Sequence, residues 1–175
     1  MQYLYHFVPK NLQGNILFPL NRIKGIYPDI YTEEVKKYEG REFIKEQKIP
    51  ILNCLWNDVL HFTSLQPQLV KNALMNFGLD RNFKYFQIPS HMLNIENTIV
   101  YLNNSHEGID KMDPLNFRSY NPDNIEQYAY LPQETTDYYK AMIKEGKKPL
   151  LYKGVPHILY KGELEITNLE VKSTD

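Results

Sequence analysis

The chain has 175 residues, enough for one well-filled domain that buries roughly 70% of its unfolded surface. Twenty Lys and Arg against 21 Asp and Glu leave a net charge of −1, which argues against a generic polyanion or membrane binder and confines any nucleic-acid contact to a local patch. A single cysteine, Cys54, excludes internal disulfides and cysteine-rich zinc sites. With no targeting sequence and no long apolar run, the expectation is one cytoplasmic domain over residues 1–175 with no membrane partner.

Residues 3–8 read as a strand, rich in aromatic and β-branched types and ended by Pro9. Asn11 to Leu17 suggests a short helical turn that Gly14 weakens. From Thr32 to Gln47 the pattern predicts a helix, with Thr32 as cap, Glu33 and Glu34 in the first turn, and Gly40 a weak point in its middle. Strands are expected at 51–55 and 59–63, on either side of Trp56-Asn57-Asp58. The next helix is the clearest element: Pro67 suits its first turn, Leu69, Val70, Ala73, Leu74 and Phe77 make one apolar stripe, and Gly78 supplies the stop.

Short strands follow at 84–88 and 98–102. Residues 103–124 carry turn formers and little periodicity, which reads as a loop, either disordered or a lid. A helix from Thr135 or Thr136 to Glu145 stops at Gly146, and PLLYK, HILYK and LEITNLEV are strand-like. Strands and helices in irregular order indicate an α+β fold rather than repeated βαβ units.

The usual catalytic motifs are missing. None of His6, His61, His91, His106 and His157 forms an HExxH pair, so no metal is expected. GxGxxG, GxxxxGK[ST] and GxSxG are absent as well. Cys54, in ILNCLW, reads as a buried structural thiol before it reads as a nucleophile. Asp110 with Asp113, and Glu163 with Glu165, are most simply solvated charges. The 14 Tyr and 8 Phe suit half-buried sheet, and equally a groove for a ring-containing ligand. His6, alone, is either a core histidine or the wall of such a groove.

Read in order, several short pieces form a pattern: Tyr5-His6, Asn11-Leu12, Ile16-Leu17, the charged run from Arg41 to Lys48, Ile49-Pro50, and NDVLHFTSLQPQLV. This order resembles the DarT-like ADP-ribosyltransferases, which transfer ADP-ribose from NAD to nucleic acid, commonly DNA. The likeness spans roughly residues 3–75, with a fainter echo in the last 25. It implies a pair of small β-sheets around a cleft with flanking helices, NAD as substrate, no metal, a nucleic-acid or protein acceptor, and an antitoxin or other regulator as partner, as for a toxin.

The resemblance also implies roles. His6 would hydrogen-bond the NAD ribose, and Phe7 and Val8 would offer backbone groups to the nicotinamide amide. Asn11 or Asn15 would support the dinucleotide, Arg41 or Lys45 would lie near the pyrophosphate, and Phe62 or Tyr85 would stack on a ring. Where the family places a catalytic glutamate at the start of a late strand, VPHILYKGELEI puts His157. A carboxylate is wanted there because cleavage of the nicotinamide bond passes through an oxocarbenium-like state. Three outcomes follow: Glu163 or Glu165 substitutes, His157 runs an altered chemistry, or the fold is a noncatalytic module binding a nucleotide, nucleic acid or protein.

Overall fold

The computed structural model describes residues 1–103 and 112–175. YLYHF forms β1 (Tyr3–Phe7), with Leu4 and Tyr5 both buried on opposite faces, as alternation along a strand covered on both sides requires. In chain order there follow β2 (Ile16–Leu17), α1 (Leu20–Ile26), α2 (Pro28–Glu34), β3 (Lys48–Ile49), β4 (Cys54–Leu55), β5 (Leu60–Phe62) and α3 (Pro67–Met75). Then come β6 (Lys84–Pro89), β7 (Thr98–Tyr101), β8 (Phe117–Ser119), α4 (Gln133–Lys144), β9 (His157–Tyr160), β10 (Leu164–Glu165) and β11 (Val171–Ser173). The fold is α+β, and every strand pairing is antiparallel.

Two sheets organise the molecule. In the first, β6 lies between β1 and β11; in the second, the order is β5-β9-β7-β8. They join where Tyr5 and Thr63 exchange backbone hydrogen bonds of 2.7 and 3.2 Å. One face of the second sheet, with Leu60, Phe62, Val100 and Ile158, packs on Leu4, Phe86 and Ile88 of the first. The other face, with Ile99, Tyr101 and Leu159, packs on Ile49, Leu52, Cys54 and Val59. A third cluster, Leu65, Val70, Leu74, Phe83, Tyr139 and Val155, lies under α3 and α4.

Several sequence expectations are corrected. The helical turn expected over Asn11–Leu17 is an irregular segment, with a bend at Gly14–Asn15 and Gly14 at φ 70°, that ends in β2. The helix expected over 32–47 is α2, started by Pro28, followed by separate 3-10 turns at Val35–Tyr38 and Glu42–Glu46. Gly40 breaks it, at φ 76°. The 51–55 strand shrinks to β4, and PLLYK forms turns. LEITNLEV divides into β10 and β11. The described part of 103–124 contains β8, paired with β7; residues 104–111, including His106 and Asp110, lie outside the described residues. α4 begins at Gln133, earlier than Thr135, and Leu69 of the α3 stripe points outward. No helix among the described residues is long and apolar enough to cross a membrane.

Ile158 is fully buried in β9 between two neighbouring strands. Ile158→Ala is therefore expected to lower unfolding free energy by about 2–5 kcal/mol in a denaturant titration; a loss well under 1 kcal/mol would contradict this packing.

A histidine-lined cleft where the two sheets part

Strand parity builds the site. Val8 donates its amide to the Lys84 carbonyl at 2.9 Å, so the even-numbered positions of β1 bond to β6 and the odd ones turn their N–H and C=O the opposite way. Tyr5 uses both of these groups on Thr63. Phe7, two residues on, aims its peptide groups at the same side, but there β5 has diverged and no ladder continues. The sheets thus open as a fork, with the Phe7 backbone at its edge.

The same parity brings rings into the fork. Leu60 and Phe62 enter the core, so His61 faces the other way. His61 pairs with Leu159, which makes His157 its diagonal neighbour, and the two rings stand edge to face with centroids 6.1 Å apart. His6 packs on Phe62 at 5.5 Å. A 3-10 turn, Trp56–Asp58, closes the side: the Asp58 carboxylate accepts from the Leu55 amide at 2.8 Å, and Trp56 lies 4.4 Å from His61 and 6.1 Å from His157.

The resulting cavity has a volume of about 330 Å³ and is walled by the three histidines, Trp56, Tyr38 and Asn57, with residues of α1 and α2 opposite. That size and its largely apolar wall with a few convergent polar groups suit a small-molecule site. A deeper recess of about 140 Å³ at the fork shares the histidines and adds Phe7 and Tyr152.

Burial sets the protonation of this wall. Loss of hydration drives His6 down to about 4, against an opposing contribution from the Phe7 backbone, with Lys37 lowering it further. His61 falls to about 3, first through burial and then through His157. His157 is also lowered by burial. All three are neutral imidazoles at neutral pH. Neutral His157 approaches the Val155 carbonyl through Nδ1 at 2.7 Å, so Nδ1 carries the proton and Nε2 is left as an acceptor. His61 donates from Nε2 to the Trp56 carbonyl at 3.0 Å, which leaves its Nδ1 as an acceptor. His6 Nδ1 is buried with no hydrogen-bond partner among the described residues. Among the described residues, the charged groups on the cavity wall are Glu34 and Lys37, 3.8 Å apart. Among the described residues no cluster of His, Cys, Asp and Glu is arranged to hold a metal.

The residues singled out from the sequence divide. His6, Asn11 and His157 lie on the cavity wall and Phe7 on the recess. The Val8 amide is already bonded within the sheet, and Asn15 lies off the cavity wall, its carbonyl accepting from Ile166 at 2.8 Å. Arg41 donates to the Lys37 carbonyl at 2.6 Å and borders a neighbouring groove that shares Trp56 and His157; Lys45 borders neither space. Phe62 borders the recess but is only 2% exposed, and Tyr85 packs edge-on against Tyr5 and borders neither the cavity nor the recess. Glu163 is paired with Arg22 at 3.1 Å, and Glu165 accepts from the Thr167 hydroxyl at 3.0 Å. Neither borders the cavity or the recess. The Cys54 thiol is buried and held high by burial.

Sequence reasoning passed over Trp56, Tyr38, Asn57, Glu34 and Lys37, and took His61 for an ordinary strand residue. The available signal was the alternation in LHF opposite HIL, which sets His61 and His157 on one face. No family model, curated protein or solved structure matches the chain, so the functional reading rests on the cleft.

The three depressed histidines fix the sign of the acid response. Unfolded, they take up protons near 6.5; folded, His6 and His61 do so only at about 4 and about 3. Below pH 6.5 the unfolded chain binds more protons, so stability that is fully present above 6.5 is lost as pH falls through the folded values. The melting temperature at constant ionic strength is expected to fall from pH 6.5 to 4, and less steeply in His61→Phe. A flat profile in the unsubstituted protein would contradict neutral burial.

Proposed function

We propose that the cleft is a NAD site and that the chain is an ADP-ribosyltransferase-like protein, with a nucleic acid or a protein as acceptor. The observation that carries this reading is the fork. A β1 histidine with a ring nitrogen that has no partner among the described residues stands beside the Phe7 peptide, where the β1–β5 pairing ends, and these are groups a carboxamide and a ribose would use. Two small sheets meeting at one bridge with helices alongside support the same reading.

In such a transfer the bond between the ribose anomeric carbon and the nicotinamide nitrogen breaks, its electrons leave with nicotinamide, and an acceptor oxygen or nitrogen bonds the anomeric carbon. His157 Nε2 would take the acceptor's proton, since it is the acceptor nitrogen of the ring while Nδ1–H is tied to Val155. A second reading, a noncatalytic NAD-binding module, is favoured by one observation: Glu163 and Glu165 both lie off the cleft, so no carboxylate from that stretch offsets an oxocarbenium-like charge.

His6→Ala is expected to weaken NAD binding about tenfold or more while leaving the fold intact, because the ring offers the ligand a hydrogen-bonding group that alanine lacks. Calorimetric titration with NAD measures the first and circular dichroism the second. Release of nicotinamide in the presence of DNA, RNA and protein acceptors separates the transferase from the module, and a folded His6→Ala protein with unchanged affinity would contradict the site.

A further inference from the structure

Four buried side-chain polar atoms have no hydrogen-bond partner among the described residues: His6 Nδ1, Asn57 Nδ2, Ser64 Oγ and Tyr152 OH. Buried polar atoms are nearly always paired, so each such exception calls for a cause. Asn57 is only 2% exposed, yet it lines the cavity. Its orientation is not free. The Tyr38 hydroxyl donates to Asn57 Oδ1 at 2.7 Å. This bond points the carboxamide oxygen at Tyr38 and leaves the two N–H groups of Nδ2 without an acceptor among the described residues.

We propose that Asn57 is a ligand-recognition residue whose Nδ2 donates to a neutral oxygen, a hydroxyl or a carboxamide carbonyl, of the molecule held in the cavity. The donor is an uncharged amide, the Lys37 ammonium on the wall has the Glu34 carboxylate 3.8 Å away, and the nearby Arg41 guanidinium is tied to the Lys37 carbonyl, so Asn57 suits a neutral group rather than a phosphate. A fixed donor in a buried wall discriminates strongly, because a ligand without the acceptor leaves the donor unpaired. The choice of probe rests on the reading of the cavity as a NAD site.

The test combines binding and stability. Trp56 is the chain's single tryptophan and stands on the cavity wall, so its fluorescence reports occupancy. Asn57→Asp keeps the bond from Tyr38 and replaces the donor by an acceptor; NAD affinity is expected to fall about thirtyfold or more. Tyr38→Phe combined with Asn57→Leu removes the Tyr38–Asn57 bond and the orphan donor together while keeping the shape of both side chains. This variant is expected to melt at or above the temperature of the unsubstituted protein and to lose NAD binding. If the unsubstituted protein binds NAD and Asn57→Asp binds it equally well, the proposal is overturned while the NAD site stands. If the unsubstituted protein shows no response to NAD, that reading fails, and melting decides for Asn57 alone. A double variant melting several degrees lower makes the Tyr38–Asn57 bond a folding element and overturns the proposal, whereas an unchanged or higher melting temperature supports it.

Discussion

The bridge between Tyr5 and Thr63 is the constraint on which the site depends. Two backbone hydrogen bonds tie β1 to β5, and neither strand is held to the other beyond that point. A continued ladder would have used the Phe7 peptide groups and closed the gap. Because it stops, the parity of each strand places His6, His61 and His157 around one space. The sheets themselves stay together because Phe62, Ile158 and Val100 interlock with Leu4, Phe86 and Ile88 behind the fork. The opening and the core are therefore two consequences of the same registration.

Electrostatics follow from that burial. Three imidazoles within one apolar wall cannot share several charges, and loss of hydration keeps them neutral. Neutral histidines, a tryptophan and a tyrosine make a wall that suits flat groups and offers directional hydrogen bonds. Tautomers fixed by the Val155 and Trp56 carbonyls set which nitrogen of His157 and of His61 meets a ligand. The Tyr38 hydroxyl, donating to Asn57 Oδ1, does the same for an amide.

What the sequence disclosed was local. β1, α3 and the Gly78 and Gly146 stops, at φ 85° and 68°, follow from alternation, an apolar stripe and left-handed glycine, all readable within a dozen residues. α1 escaped notice because it has no side-chain cap and buries no residue; its neighbour α2 and the Trp56–Asp58 turn hold it in place. The 32–47 segment has helical composition, but the left-handed Gly40 ends it. At the site, His6 and His157 were legible from their places in the order of motifs. Tyr38, Trp56 and Asn57 were not, because short 3-10 turns with no periodicity carry them and only the register of β5 on β9 brings them to the histidines. Arg41 shows the converse: its charge is visible in the sequence, but the turn before it directs the guanidinium to the Lys37 carbonyl.

The most direct test of the fork as a ligand site is a crystal structure of the protein with NAD bound. The account predicts the nicotinamide carboxamide hydrogen-bonded to the Phe7 peptide, with the adjoining ribose beside His6 and the ring within the wall formed by Trp56 and His157. NAD bound elsewhere with the fork open, or a fork closed by continuation of the β1–β5 ladder to Phe7 and His61, would contradict it.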